Sequence, residues 1–198
     1  MVVYRKLITP ELPAYCEHLL RLDPRDRRAR FLTLTTDEVI RHHCRSLDLP
    51  WTILVGAFRD GVMRGAVELV GSPFDGMNVV ELAVSVERTF QNTGAGTELV
   101  RQAVLVAQNR GIRRIKMICL QENRRMQAIC KKLHGLLDYD EADVMCDIKV
   151  AAATRQTLWQ EQLEQHSLPT MGVLARRPCP PCAPRPPAIP AASAVPAV

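Results

Sequence analysis

A glycine-containing segment between a strand pattern and a helix pattern is the part of this sequence best suited to chemistry. The segment reads Gln91-Asn92-Thr93-Gly94-Ala95-Gly96-Thr97. Apolar residues alternate before it over residues 79–86, as in a half-buried strand, and recur at helical spacing after it up to Arg110. Glycines let the backbone approach a ligand closely, and the first free N–H groups of a helix attract anions. The segment therefore predicts a site for a phosphate or pyrophosphate group.

Two common phosphate-binding motifs do not fit this segment. A Walker A loop requires a Gly-Lys-Ser/Thr run, which the sequence lacks, and a dinucleotide fingerprint requires glycine or alanine where Leu99 stands. The spacing Gln-x-x-Gly-x-Gly, from Gln91 to Gly96, instead resembles the acyl-CoA pyrophosphate loop of the GNAT superfamily of N-acyltransferases. Taken alone, the segment leaves a glycine turn without a ligand as the alternative.

A second strand–helix unit strengthens this resemblance. Residues 114–120 predict a short strand, and apolar residues recur at helical spacing from Met126 to Leu133. Asn123 stands between the two elements. In the GNAT superfamily an asparagine ends the fifth strand and opens a helix that leans on the cofactor. The resemblance thus implies that Asn123 bonds the pantetheine arm, although the same side chain also suits a helix N-cap.

The resemblance covers about residues 2–150 and implies an α/β (α+β) fold. In this fold a mixed, mainly antiparallel sheet is flanked by helices. The fourth and fifth strands of the superfamily diverge, and the pantetheine arm of the cofactor enters the gap between them. We therefore expect residues 1–150 to form a GNAT N-acetyltransferase domain.

The local patterns predict the elements of this domain. Strands are expected over Val2–Leu7 and near Val144–Val150, with a hairpin that turns at Asp60-Gly61. Two helices are expected over Glu11–Leu22 and Asp37–Leu47, joined by a charged segment over residues 25–31.

The sequence changes character after the predicted domain. Residues 151–166 predict a polar C-terminal helix whose apolar anchors are Leu158, Trp159 and Leu163. Residues 167–198 are rich in proline and alanine, so we expect a disordered tail. No apolar run is long enough to cross a membrane and no signal-peptide pattern is present, which predicts a cytoplasmic protein without a membrane partner.

Charge and cysteine content exclude some classes of protein. The net charge is +5, but the basic residues are dispersed and aromatic residues are only 5%, so we expect no nucleic-acid partner. Part of the basic excess instead suits the phosphates of coenzyme A, as with Arg124 and Arg125 after Asn123. The seven cysteines include one CxxC pair, Cys179 and Cys182, without a second pair. We therefore expect no metal site and free thiols in the domain.

The resemblance implies that acetyl-CoA is the co-substrate and that an amine attacks its thioester directly in a ternary complex. It also implies that the backbone of Val84, Ser85 and Val86 binds the cofactor, together with residues 91–97 and Asn123. A lysine-type amine has a pKa of about 10.4, so it arrives as an ammonium and must lose a proton. Glu81, ten residues before Gln91 on the predicted fourth strand, is the candidate proton acceptor, and Glu68 is the second choice.

The sequence departs from the superfamily at two positions. Many relatives have a tyrosine seven residues after the asparagine, which protonates the departing thiolate, but here this position is Cys130. A thiol with a pKa near 8.5 can donate a proton, so Cys130 is the candidate general acid, with Tyr139 nearby in the sequence. The glycine that usually ends the helix is displaced to Gly135. Either the helix is one residue longer, or His134 has an unusual backbone conformation.

Two functions from different classes fit these features. The first is an N-acetyltransferase that acts on a small-molecule amine or on a protein lysine or N-terminus. The second is an acyl-CoA-binding regulatory module with weak or no catalysis, whose tail recruits a partner. The predicted acceptor region has no diagnostic pattern, so the sequence does not identify the amine. It also leaves open whether the chain forms a homodimer.

Overall fold

The computed structural model describes residues 1–72, 76–141 and 143–166, and they form seven strands, six α-helices and three short 3-10 helices (Thr9–Glu11, Leu49–Trp51 and Arg88–Phe90). In chain order these elements are β1 (Val2–Lys6), α1 (Leu12–Arg21), α2 (Pro24–Phe31), α3 (Asp37–Arg45), β2 (Thr52–Arg59), β3 (Val62–Ser72), β4 (Gly76–Val86), α4 (Ala95–Asn109), β5 (Arg114–Leu120), α5 (Arg124–Lys132), β6 (Leu136–Tyr139), β7 (Asp143–Lys149) and α6 (Arg155–His166).

The strands form one sheet in the order β1-β2-β3-β4-β5-β7-β6. All neighbouring strands are antiparallel except β4 and β5, which pair in parallel only over Val79–Glu81 and Arg114–Lys116. Beyond this short ladder the rest of β4 and β5 run unpaired to each other and diverge. The mixed, mainly antiparallel sheet and its divergent strands confirm the predicted fold class.

Helices cover both faces of the sheet because the central strands are apolar on both sides. On one face, α4 residues such as Leu99 and Val106 pack against Val80 and Leu82 of β4. On the other face, α1 and α3 pack against β2 and β3. Since side chains alternate along a strand, the positions between the α4-facing residues of β4 point toward this second face. These positions include Glu81 and Ser85.

Helix α2 corrects the prediction that residues 25–31 only connect two helices. Asp23 caps the helix by accepting a hydrogen bond from Asp26 N at 2.9 Å, and Pro24 occupies the first helical position. Arg27 donates to the carbonyl oxygens of Leu20 and Leu22 at 2.6 and 2.9 Å. Polar contacts therefore stabilise α2, and the sequence shows no apolar period here.

The predicted apolar anchors of α6 are wrong. Leu158, Trp159 and Leu163 are 47%, 72% and 67% exposed. Polar contacts attach the helix instead, because Glu161 pairs with Lys6 and with Arg110, each at 3.0 Å.

The tail predicted over residues 167–198 lies outside the described residues. No helix in the described part of the chain is long and apolar enough to span a membrane.

Candidate functional site

A cavity of about 330 Å³ lies where β4 and β5 diverge. Nine of the residues predicted to bind the cofactor line it: Val84, Ser85, Val86, Gln91, Asn92, Gly94, Gly96, Thr97 and Asn123. Thr93, Ala95, Glu81 and Cys130 are not among the lining residues. The structure thus brings most of the predicted residues around one space, while their roles in binding remain predictions.

The first turn of α4 opens onto this cavity and carries no side-chain cap. Gly94 is the N-cap residue, and its φ of +88° lies in the left-handed region that favours glycine. Within the described residues no side chain accepts a hydrogen bond from the first turn of the helix, and the first backbone bond of the helix runs from Glu98 N to Gly94 O at 3.0 Å. Free N–H groups and the helix dipole therefore present a positive end to an anion.

Gly96 keeps the cavity open through its missing side chain. A Cβ atom at this position would lie 3.6 Å from Ile129 Cδ1 and 3.7 Å from Val86 Cγ2. Both of these residues line the cavity. The contacts are ordinary van der Waals distances, so an added Cβ would not disturb the fold but would occupy space beside the end of the helix.

Gln91 connects β4 and α5, which lie on opposite sides of the gap. Its Nε2 donates to Val86 O at the end of β4 at 2.9 Å, and its Oε1 accepts a hydrogen bond from Arg125 of α5. Arg125 and Lys132 also line the cavity, so α5 contributes positive charge to it. The glutamine therefore has a positioning role that its place in the predicted loop did not reveal.

Asn123 caps α5. Its Oδ1 accepts a hydrogen bond from Met126 N at 3.3 Å, and the residue also lines the cavity. The helix-cap alternative for this side chain is thus what the structure shows. A bond from Asn123 to a pantetheine arm stays a prediction.

Helix α2 forms a wall of the cavity that sequence reasoning missed. Asp26, Ala29 and Arg30 all line the space. Arg28 on the same helix pairs with Glu122 just before α5 at 2.5 Å. The only signal in the sequence was the cluster of arginines in the charged segment 25–31, and Arg30 both lines the cavity and forms an ion pair with Glu68.

Glu68, the second choice for proton acceptor, is the centre of a buried polar cluster. It is 2% exposed, accepts a hydrogen bond from Tyr15 Oη at 2.7 Å, and lies 3.0 Å from His43 Nε2. It also pairs with Arg30. Burial opposes ionisation, yet the hydrogen bond with His43 and the charge of Arg30 lower the pKa of Glu68 below its usual value. The carboxylate therefore holds three elements together rather than facing the cavity.

Glu81 lies on the same face of β4 as Ser85, at the point where β4 and β5 stop pairing. It is opposite Val70 on β3 and Lys116 on β5, and it is exposed. No hydrogen bond or ion pair joins it to another residue in the described part of the chain. Its predicted role as proton acceptor remains a prediction, and a water or substrate has access to its carboxylate.

The structure corrects the proposal that Cys130 is a general acid. Cys130 forms a disulfide with Cys146 of β7, is 1% exposed and does not line the cavity. A disulfide sulfur carries no proton to donate. The expectation of free thiols throughout the domain is therefore also wrong at these two positions, because α5 packs directly on β7. Cys16, Cys44 and Cys119 are free thiols.

The end of α5 explains the displaced glycine. His134 has a φ of +57°, and Gly135 N donates to Cys130 O at 2.9 Å. Of the two predicted alternatives, the unusual backbone at His134 is the one found. Gly135 is required for a different reason, since a Cβ there would lie 2.8 Å from Cys146 Sγ and even closer to Cys130 Sγ.

Solved structures with this fold come from several organisms. The chain is similar to the GNAT domain of S. lividans PAT, with a TM-score of 0.62, 15% identity, and coverage of 74% of this chain and 89% of that one. It is similar to an acetyltransferase of the GNAT family from Streptococcus pneumoniae, with a TM-score of 0.61, 17% identity, and coverage of 76% and 100%. It is also similar to the PaiA N-acetyltransferase from Thermoplasma acidophilum in complex with coenzyme A, with a TM-score of 0.56, 18% identity, and coverage of 75% and 99%.

Sequence comparison identifies the family where these distant structures show only the fold. No curated protein matches the chain. No group of three or more histidine, cysteine, aspartate or glutamate side chains that could hold a metal ion occurs within residues 1–72, 76–141 and 143–166. The sequence model of the acetyltransferase (GNAT) family matches residues 16–136, which is more than half of the chain. The chain therefore belongs to the acetyltransferase (GNAT) family.

Proposed function

We propose that this protein is an N-acetyltransferase that moves an acetyl group from acetyl-CoA to an amine, on a small molecule or on a protein lysine or N-terminus. The observation that carries the proposal is the cavity between β4 and β5, with the uncapped first turn of α4 beside it. Coenzyme A has a narrow pantetheine arm and an anionic pyrophosphate. A gap between strands next to a helix N-terminus offers complementary shape and charge to these two parts.

We assign the parts of the donor to particular residues. The free N–H groups of residues 95–97 and the charge of Arg125 would hold the pyrophosphate. Val84, Ser85 and Val86 pair with β3 but not with β5, so their backbone groups on the β5 side would hydrogen-bond the pantetheine arm, with Asn123 on the other side of the gap. The coenzyme A complex of the Thermoplasma acidophilum protein, which has a similar fold, supports coenzyme A as the class of ligand.

In the proposed reaction the amine attacks the thioester carbonyl directly. The ammonium must first lose a proton, and Glu81 accepts it directly or through a water. The carboxylate of Glu81 is exposed and lies on the face of β4 that also presents Ser85 to the cavity. An amine that enters from this face would pass Glu81 on its way to the thioester.

One observation favours the second function, an acyl-CoA-binding regulatory module. Cys130, the residue in the position of the usual general acid, has no thiol proton because it is paired with Cys146. A chain that binds acetyl-CoA but lacks a proton donor for the thiolate would sense the ligand without consuming it. In that case residues 167–198 would be the segment that recruits a partner.

A panel of amines separates the two functions. The purified protein is mixed with acetyl-CoA and each amine, thiol release is followed, and mass spectrometry identifies the acetylated product. An acetyltransferase releases one thiol for each acetylated amine. Calorimetric binding of acetyl-CoA without product from small amines, lysine peptides or free N-termini would favour the regulatory module.

The other predictions from the sequence are separate from this test. A cytoplasmic location and the absence of a nucleic-acid partner remain predictions, and whether the chain forms a homodimer stays open. The disulfide between Cys130 and Cys146 weighs against the cytoplasmic location, because disulfides persist mainly in oxidising compartments.

A further inference from the structure

The side chains of Ser85, His18 and Glu87, which have no part in the proton transfer to Glu81, lie in a row that ends at the cavity. Ser85 of β4 lines the cavity, and its Oγ lies 2.9 Å from Nε2 of His18 on α1. The other ring nitrogen of His18, Nδ1, lies 3.5 Å from Oε1 of Glu87, just after β4. His18 is 0% exposed and Ser85 is 7% exposed. Hydroxyl, imidazole and carboxylate thus follow one another away from the cavity, and the first two are shielded from solvent.

The charges around Glu87 determine which nitrogen of His18 carries the proton. Arg21 Nε and Arg64 Nη1 donate to the Glu87 carboxylate at 2.7 and 2.9 Å. Although burial acts in the opposite direction, the nearby imidazole of His18 and the hydrogen bonds from Arg21 and Arg64 lower the pKa of Glu87 to about 2. Burial lowers the pKa of His18, so its imidazole is neutral at pH 7.

A neutral imidazole beside an ionised carboxylate places its proton on the nitrogen nearest to that carboxylate. This nitrogen is Nδ1 of His18, which is buried 3.5 Å from Oε1 of Glu87 and makes no shorter hydrogen bond in the described part of the chain. Nε2 is then left with a lone pair that accepts the O–H of Ser85. The hydroxyl oxygen of Ser85 keeps its own lone pairs for a group in the cavity.

Building on the acetyltransferase function proposed above, we propose that Ser85 carries a proton from the attacking nitrogen to the departing sulfur of coenzyme A, with His18 and Glu87 acting through it. As the N–C bond forms, the nitrogen gives its excess proton to Ser85 Oγ, and the hydroxyl proton of Ser85 moves to His18 Nε2. As the C–S bond breaks, Ser85 donates a proton to the sulfur and recovers one from His18. One proton moves from nitrogen to sulfur, and no other reactant is needed.

The location of Ser85 suits this role. Pairing between β4 and β5 ends at Glu81 and Lys116, and Ser85 lies four residues further along β4, inside the divergent part. While His18 holds the proton it is an imidazolium, which the Glu87 carboxylate stabilises and the nearby charges of Arg21 and Arg30 oppose. The relay provides the thiolate with a proton donor, a role that Cys130 cannot have. It is separate from the earlier proton that the ammonium gives to Glu81.

Removal of the hydroxyl group is the first test. Turnover is measured with an amine that the native protein acetylates, and acetyl-CoA affinity is measured by calorimetry. Ser85→Ala should lower kcat by about 10²- to 10⁴-fold, the usual effect of a positioned acid–base group, with unchanged affinity. Ser85→Thr keeps the hydroxyl and should recover most of the rate. Thr89→Ala removes an exposed hydroxyl outside the cavity lining and should leave kcat unchanged.

A double-variant cycle distinguishes the relay from a structural effect. Glu87→Gln keeps the shape and removes the charge, so kcat should fall while the KM for acetyl-CoA does not change. Because Ser85 and Glu87 act through one imidazole, adding Glu87→Gln to Ser85→Ala should cause little further loss. Losses that multiply would mean independent structural effects and would overturn the relay.

The remaining outcomes also decide the matter. An unchanged kcat in Ser85→Ala, with an active native protein, overturns the relay and leaves the acetyltransferase function in place. A burst of thiol release in the absence of an amine would identify an acyl-serine intermediate and also overturn the relay. A native protein that acetylates no amine overturns the proposed function and the relay together.

Discussion

Arg30 and Glu68 form an ion pair beside the cavity with side chains that are only 8% and 3% exposed. Arg30 belongs to α2 and lines the cavity, whereas Glu68 lies inside the sheet on β3. Tyr15 of α1 and His43 of α3 bond the same carboxylate. The Glu68 carboxylate therefore holds three helices against the sheet, and its ion pair with Arg30 fixes the α2 wall of the cavity.

Neutralising Glu68 should destabilise the protein substantially. Glu68→Gln leaves the buried guanidinium of Arg30 without a counter-charge, and breaking a buried ion pair in this way typically costs about 3–5 kcal/mol. Chemical denaturation measures the change in the free energy of unfolding. The matched control is Glu122→Gln, which breaks the exposed pair with Arg28 and should cost less than about 1 kcal/mol. Equal losses in the two variants would contradict the structural role of Glu68.

Acid should weaken the contacts of Glu87. Its pKa falls from an ordinary 4.5 to about 2 in the folded protein. A carboxyl group with a lowered pKa contributes stability above its unfolded pKa, and this contribution disappears as pH falls toward the folded pKa. The difference in unfolding free energy between the native protein and Glu87→Gln should therefore shrink from about pH 5 to pH 2. Denaturant titrations across this range measure it, and a constant difference would exclude the assigned contacts.

The donor side of the site could be predicted from the sequence because local patterns determine it. Strand alternation, the glycines before α4 and the asparagine after β5 are signals within short segments. The resemblance to the superfamily then supplied the divergence of β4 and β5, which no local pattern contains. The loop and Asn123 accordingly lie around one cavity in the structure.

The surroundings of this cavity could not be predicted because they depend on contacts between distant residues. The segment 25–31 has no apolar residues at helical spacing. Helix α2 is instead stabilised by the Asp23 cap and by the hydrogen bond from Arg27 to the carbonyl oxygen of Leu22. His18 and Ser85 are 67 residues apart and meet only when α1 packs on the sheet. The pairing of Cys130 with Cys146 likewise depends on how α5 lies on β7.

Glu81 gives a prediction about pH as well as rate. Glu81→Gln keeps the shape and removes the basicity, so kcat should fall by about 10²- to 10⁴-fold near pH 7, while acetyl-CoA affinity hardly changes. The defect should shrink as pH rises toward the pKa of the amine, because the free amine needs no proton acceptor. Glu17→Gln makes the same change at an exposed position of α1 and should be neutral. A defect that does not vary with pH would place the proton acceptor elsewhere.

Removal of the disulfide should leave kcat unchanged if Cys130 is not the general acid. The double variant Cys130→Ala with Cys146→Ala should retain the native kcat. It should be less stable by about 3 kcal/mol, the typical effect of a disulfide that closes a loop of this length. Steady-state kinetics and denaturation measure the two quantities. A loss of kcat in the folded double variant would restore a catalytic role to Cys130.

The most direct test of the central claim, that acetyl transfer takes place at the cavity between β4 and β5, is a comparison of the native protein with Gly96→Val. Calorimetry and amine-dependent thiol release are measured on the same samples, with Gly96→Ala as the intermediate step. A valine would project between Val86 and Ile129 into the space proposed for the pyrophosphate, without a strained backbone. We expect acetyl-CoA binding and turnover to fall from native to alanine and to collapse in the valine variant, which should remain folded. Native affinity and native turnover in a folded Gly96→Val protein would contradict the claim.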